Sequence, residues 1–257
     1  MKIGVVGKGG VGKTTVSSLL ARTYADRGRR VVAVDTDSNP NLGFSLGLDA
    51  AATEALPVLP RRLVVGGAGA SSLDDIFGRY GTLTPTGVTV LSALRIEAAG
   101  AGCTCGGHST VRSLLGEALE TYADVTIVDM EAGIEHLSRS GGTLAYADVL
   151  VIVMEATRKA VVTAARTIAL ATELGIPDAV GVGNKIYDDA DRSTLEALCS
   201  EYGIALVASL PRDAAIIEAD RFGRPVTIDP AAALSIELER LCDVLDERLL
   251  VARAGTR

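Results

Sequence analysis

Short apolar runs bounded by polar turns recur along the chain, and between them apolar residues return at helical spacing. Ile3-Gly4-Val5-Val6, Val31 to Asp35, Val88-Thr89-Val90-Leu91, Val125 to Asp129, Asp148 to Met154 and Val180 to Asn184 have the length and β-branched content of strands buried on both faces. Leu206 to Pro211 reads as a last short strand. Helices are predicted over 13–26, where Val16, Leu19, Leu20 and Tyr24 share a face, and over 109–122, 158–174, 213–222 and 233–248. Residues 49–87, with Pro57, Pro60 and a Gly-rich stretch at 66–72, read as loops around short elements. A chain of 257 residues can bury one large core. The alternation therefore predicts one α/β domain over 1–257, a mostly parallel sheet with helices on both faces.

The chemistry lies between the first strand and the first helix. Lys8-Gly9-Gly10-Val11-Gly12-Lys13-Thr14-Thr15 is a phosphate-binding loop, which makes the domain a P-loop NTPase. Gly9, Gly10 and Gly12 let backbone N–H groups, that of Val11 among them, turn toward one anion, and the helix adds its positive N-terminal dipole. Lys13 reaches the β- and γ-phosphates, the Thr14 hydroxyl is placed to ligate Mg²⁺, and Thr15 can donate to an inner phosphate. A glycine-rich turn by itself would only cap a helix. Strand, glycines, Lys-Thr-Thr and helix in this order point to ATP and Mg²⁺ as the cofactors.

Two of the strands end in acids. An acid at the carboxyl end of such a strand faces the ligand crevice, and Asp37, two residues beyond the second strand, is the candidate for positioning the attacking water. The alternative is that Asp37 and Asn39 form a turn. Asp129 closes the strand at 125–129 in the form of a Walker B element, which holds Mg²⁺ directly or through water. The segment after it contains Glu131, a further candidate nucleotide contact, and Gly133, whose backbone freedom suits a switch ordered by ATP. Asn184 ends its strand and is able to pair with both a donor and an acceptor on adenine; as a loop former it would need no ligand.

Composition and charge narrow the partners. A formal charge of −7 argues against non-specific DNA binding through a basic face. The last helix carries Glu237, Glu239, Asp243, Asp246 and Glu247 against Arg240 and Arg248, unlike a membrane-surface helix. No apolar run approaches the roughly 20 residues needed to span a bilayer. Neither nucleic acid nor membrane is expected as a partner. With the first strand starting at Lys2, no signal peptide is expected and a cytoplasmic protein is. In a reducing compartment its four cysteines act as thiols or ligands rather than disulfides. Cys199 and Cys242 fall on helices and are expected in the core. Cys103 and Cys105 form a C-x-C pair, half of a tetrahedral thiolate site. Two copies across a subunit interface would surround one ion, Zn²⁺ by geometry or Ni²⁺ if the site flattens. As small buried residues near a turn they would need no metal.

With Lys8 as a second lysine, the loop resembles the deviant Walker A loop, K-G-G-x-G-K-T-T, of septum-site and plasmid-partition ATPases, nitrogenase iron protein and metal-centre assembly ATPases. That resemblance implies that Lys8 crosses a dimer interface to the partner's nucleotide, so that Lys8, Lys13, Asp37 and Asp129 form the catalytic set of a homodimer dependent on nucleotide or metal. It also implies base recognition at the Asn184-Lys185 position and adenine contacts from the loop holding Pro211 and Asp213. Asp129 to Leu137, joined to Gly102-Cys103-Thr104-Cys105, is similar to the CooC family, nickel-insertion ATPases of carbon monoxide dehydrogenase maturation. The implied function is an ATP-hydrolysing metallochaperone that binds nickel between subunits and serves carbon monoxide dehydrogenase or a related client. A MinD/ParA-like positioning or partition ATPase is the alternative within the superfamily. A cluster-carrying ATPase like nitrogenase iron protein takes a second ligand from the Walker B switch, where this chain has no cysteine between Asp129 and Leu137.

Overall fold

Eight strands come together in one sheet in a computed structural model that describes residues 1–60, 72–95, 110–114, 119–131, 144–222, 226 and 228–255. The strands are β1 (Lys2–Gly7), β2 (Val31–Asp35), β3 (Thr82–Leu83), β4 (Thr89–Ser92), β5 (Val125–Asp129), β6 (Val149–Met154), β7 (Ala179–Ile186) and β8 (Leu206–Pro211). Their spatial order is β3-β4-β2-β5-β1-β6-β7-β8. Every pairing is parallel except that of the two-residue edge strand β3, which runs antiparallel to β4. All residues of β2, β5 and β6 are buried, as strands covered on both faces must be.

The helices are α1 (Lys13–Asp26), α2 (Leu42–Ser45), α3 (Ala50–Glu54), α4 (Leu73–Tyr80), α5 (Leu119–Tyr122), α6 (Arg158–Glu173), α7 (Asp189–Glu201), α8 (Ala214–Phe222) and α9 (Ala233–Gly255). The two-residue strand period sorts side chains into two cores. Ile3, Val5, Ala33, Ile127, Val151 and Val153 pack with Val16 and Leu20 of α1 and Leu238, Leu241 and Leu245 of α9. Val6, Val34, Val128, Leu150 and Ile152 face the other way, with Val161 and Ala164 of α6 and Leu195 and Leu198 of α7. Cys199 and Cys242 are buried, one in each core.

Several boundaries differ from the sequence expectation. β7 continues through Asn184 to Ile186, and α9 runs to Gly255 rather than stopping at 248. Arg248, where the sequence expectation ends the helix, reaches back to Asp178 at the entrance to β7, 2.8 Å away. The acids that make the helix look solvated have partners: Arg27 at the end of α1 meets Glu239 at 2.5 Å and Asp243 at 2.9 Å. Within 49–87 the short helices are real. Asp49 caps α3 by accepting from the Ala52 N–H at 2.7 Å, and Ser72 caps α4 by accepting from the Asp75 N–H at 3.0 Å. Of the helix expected over 109–122, residues 110–114 and 119–122 are helical.

Candidate functional site

In the middle of the sheet β1 lies between β5 and β6, and the chain runs from β1 to β2 on one side and from β6 to β7 on the other. That arrangement opens a crevice at the carboxyl ends of the strands. The loop from Lys8 to Gly12 fills one side of it. Gly10 and Gly12 hold φ values of 83° and 92°, the left-handed region that disfavours a side chain. At Gly12 a Cβ would also lie 2.4 Å from the Asn184 amide nitrogen, so close approach and conformation both demand glycine. Gly12 is the N-cap of α1 and no side chain caps that helix, which leaves its first N–H groups directed at the crevice.

The Lys13 side chain is buried at the loop's centre, with Nζ 3.5 Å from the Lys8 carbonyl oxygen. The Val11 N–H points to the same oxygen, also at 3.5 Å. Burial lowers the Lys13 pKa from its ordinary value, opposed by the charges of Asp129, Asp37 and Glu131. Lys8 itself is exposed.

Asp35 and Asp129 end neighbouring strands and are direct register partners. Both are buried. Asp129 accepts hydrogen bonds from Ser17, at 2.9 Å, and from the Thr14 hydroxyl. Asp35 accepts from the backbone N–H of Asp37 at 3.0 Å and of Leu42 at 2.9 Å, curling the segment after β2 around its own carboxylate. Burial raises the pKa of each carboxyl group, and for Asp129 the neighbouring Asp35 adds to the shift. The segments that follow β2 and β5 are tied together. Thr36 donates to the Asp129 carbonyl at 2.8 Å and Ser38 to the Glu131 carboxylate at 2.9 Å.

Beside the loop lies a cleft of about 620 Å³ lined by Thr15, Asn184, Pro211 and Asp213, with Ile216 and Ile217 along its apolar wall. Four positions chosen separately in the sequence thus share one cavity. Gly9 and Gly10 are exposed along the loop, and Val11 is buried. Cys103, Cys105 and the switch segment from Gly133 onward lie outside the described residues.

Sequence reasoning gave no role to Asp35, Ser17, Ser38 and Glu155. Asp35 had a signal, since it ends its strand as Asp129 does, and Ser17 stands one helical turn from Thr14. The others had none. Cys199 and Cys242 are set apart from this chemistry: burial pushes their thiols up to about 11 and about 12. No helix among the described residues is long and apolar enough to cross a membrane.

The model of the CobQ/CobB/MinD/ParA nucleotide-binding domain matches residues 3–226. The carbon monoxide dehydrogenase accessory protein CooC of Rhodospirillum rubrum is 36% identical over 259 residues, covering 93% of this chain and 96% of the relative. An uncharacterized ATP-binding protein of Methanocaldococcus jannaschii is 33% identical over 250 residues, with coverage of 92% and 95%. Among solved structures, the septum site-determining protein MinD of Pyrococcus horikoshii, complexed with Mg-ADP, superimposes with a TM-score of 0.72 at 21% identity, over 95% of each chain.

Proposed function

Because the chain belongs to the CobQ/CobB/MinD/ParA nucleotide-binding family, a family of P-loop ATPases, we propose that it is a CooC-like ATPase that binds and hydrolyses Mg-ATP as a homodimer. In this reading residues 1–257 form one ATPase domain. Nickel is its cargo, held by Cys103 and Cys105 of two subunits and passed to carbon monoxide dehydrogenase or a related metalloenzyme. The observation that carries the reading is the 36% identity with CooC across nearly the whole of both chains.

The site's geometry supports the ATPase part. The uncapped N-terminus of α1 and the loop N–H groups receive the triphosphate, with Lys13 as a buried cation against it. Three carboxylates, Asp37, Asp129 and Glu131, face Lys13, and Asp35 lies beside Asp129, so a triphosphate needs further positive charge there. Thr14, Ser17 and Asp129 offer only oxygen donors, a set that fits Mg²⁺. Thr14 and Asp129 would hold the ion, which supplies charge neutralisation at the β- and γ-phosphates. Asp37 positions a water whose oxygen bonds to the γ-phosphorus as the bond to the β–γ bridging oxygen breaks, giving ADP, phosphate and a proton. Lys8 of the partner subunit adds charge to that transition state. Adenine occupies the cleft between Asn184 and the Pro211–Asp213 turn. The acids of α9 engage Arg27 and Arg29. That helix is therefore not a basic surface for a positioning ATPase to hold DNA or membrane with.

The test is nickel stoichiometry and molecular mass, with and without Mg-ATP, for the parent and for Cys103→Ser/Cys105→Ser. The parent is expected to bind about one Ni²⁺ per two chains, as a four-sulfur site shared between subunits requires. The double variant should lose nickel and keep Mg-ADP. Undiminished nickel in the double variant would remove the metallochaperone reading and leave the ATPase.

A further inference from the structure

At the wall of the same cleft, where Lys185 and Glu155 join Asn184 in its lining, two consecutive residues of β7 grip two consecutive loop carbonyls. The Asn184 side-chain amide donates to the Val11 carbonyl at 2.8 Å, and the Lys185 ammonium donates to the Gly10 carbonyl at 2.6 Å. The same ammonium meets the Glu155 carboxylate, just past β6, at 2.8 Å.

Lys185 reaches the loop at a backbone cost. Its φ is 58°, and among the described residues it is the one non-glycine with positive φ. The register between β7 and β8 shifts between Gly183 and Ile186, a bulge of the kind that re-aims a side chain next to a site. Left-handed backbone is unfavourable for a residue carrying a Cβ, and such strain persists where surrounding structure demands it. An exposed Lys–Glu pair contributes little to stability, and both partners are about half exposed, Lys185 at 48% and Glu155 at 37% of the side chain. Stability therefore does not account for the contact.

Peptide planarity shows what the grip achieves. In a trans peptide the C=O of one residue and the N–H of the next point in opposite directions. Fixing the Gly10 carbonyl aims the Val11 N–H at the concave side of the loop, where it and Lys13 Nζ both lie 3.5 Å from the Lys8 oxygen. Fixing the Val11 carbonyl likewise aims the Gly12 N–H. We propose that Lys185, braced by Glu155, is a positioning residue for the phosphates: from the cleft wall it presets the orientation of the loop's anion-binding N–H groups. The inference rests on the reading of the site as a nucleotide site, and it assigns Lys185 to phosphate affinity rather than base recognition. The loop then binds without paying to reorient its peptides.

Lys185→Gly tests it, since glycine relieves the φ strain while removing the ammonium. Its nucleotide-free melting temperature should equal or exceed the parent's, while affinity for Mg-ADP should fall by about tenfold. The loss should be the same factor for Mg-ADP and Mg-IDP, whose bases differ but whose phosphates do not. Lys185→Met, which keeps the stem, should lose similarly, and Lys185→Arg should recover most of the affinity. Parent-like ADP binding by Lys185→Gly, or a loss confined to ADP, would overturn the proposal while leaving the nucleotide site intact. So would a melting temperature that falls along with affinity. A parent protein that binds neither ADP nor ATP would overturn the site itself.

Discussion

Two carboxyl groups side by side at the ends of β2 and β5, Asp35 and Asp129, are an unfavourable thing to bury. Each is satisfied by hydrogen bonds, yet burial still raises both above the ordinary 3.8. The folded protein therefore binds more protons than the unfolded chain between pH 3.8 and the raised values. The pair's contribution to stability is complete below 3.8 and is lost as pH rises through the folded-state values. Asp129→Asn, which removes one charge and keeps an acceptor for Ser17 and Thr14, is expected to raise the nucleotide-free melting temperature by about 3 °C at pH 8. At pH 5, where the pair already carries a proton, the gain should shrink toward zero. Calorimetry at the two pH values checks this, and an equal gain at both would refute the linkage. The same variant should hydrolyse ATP poorly, because the charge that destabilises the fold is the charge the proposed magnesium site uses.

α9 shows how a polar-looking element can be a structural one. Leu238, Leu241, Cys242 and Leu245 form a buried stripe at helical spacing, and the Tyr24 hydroxyl of α1 donates to the Cys242 carbonyl at 3.2 Å. Its acids lie on the other side and meet the arginines that follow α1. Leu241 is fully buried, so Leu241→Ala should cost about 2–5 kcal/mol in urea unfolding. Replacing Glu239 by Gln should cost far less, because the Glu239 side chain is half exposed and Arg27 keeps Asp243 as a partner. β8, the edge strand beneath this helix, is protected in two ways. Pro211 has no N–H to offer, and the Glu237 carboxylate accepts from the Ser209 N–H at 3.4 Å.

At the scale of the whole molecule, the exposed Lys8 is the residue whose proposed role needs a second copy of the chain. Light scattering with Mg-ATP is expected to show a dimer for the parent and a monomer for Lys8→Ala, with Mg-ADP binding by the monomer retained. A dimer in both would remove Lys8 from the interface. The strand–loop–helix order, the deviant phosphate loop and the two acid-ended strands were legible in the sequence, because hydrophobic period, glycine and lysine chemistry act within a few residues. The parallel sheet followed from the same alternation. What tertiary structure alone decided is which distant ends meet. Asp35 and Asp129 touch because β5 inserts between β2 and β1, an order that no local pattern encodes. Thr15, Asn184 and Asp213 line one cleft because β7 and β8 are laid successively outward from β6. In sequence Lys185 is tied to the base by resemblance, and nothing there ties it to the phosphate loop. Its reach to Gly10 depends on a bulge and a positive φ, set by packing across some 175 residues of intervening chain. Local chemistry is written in neighbouring residues; the convergence of a site comes from the free energy of burying the whole sheet at once.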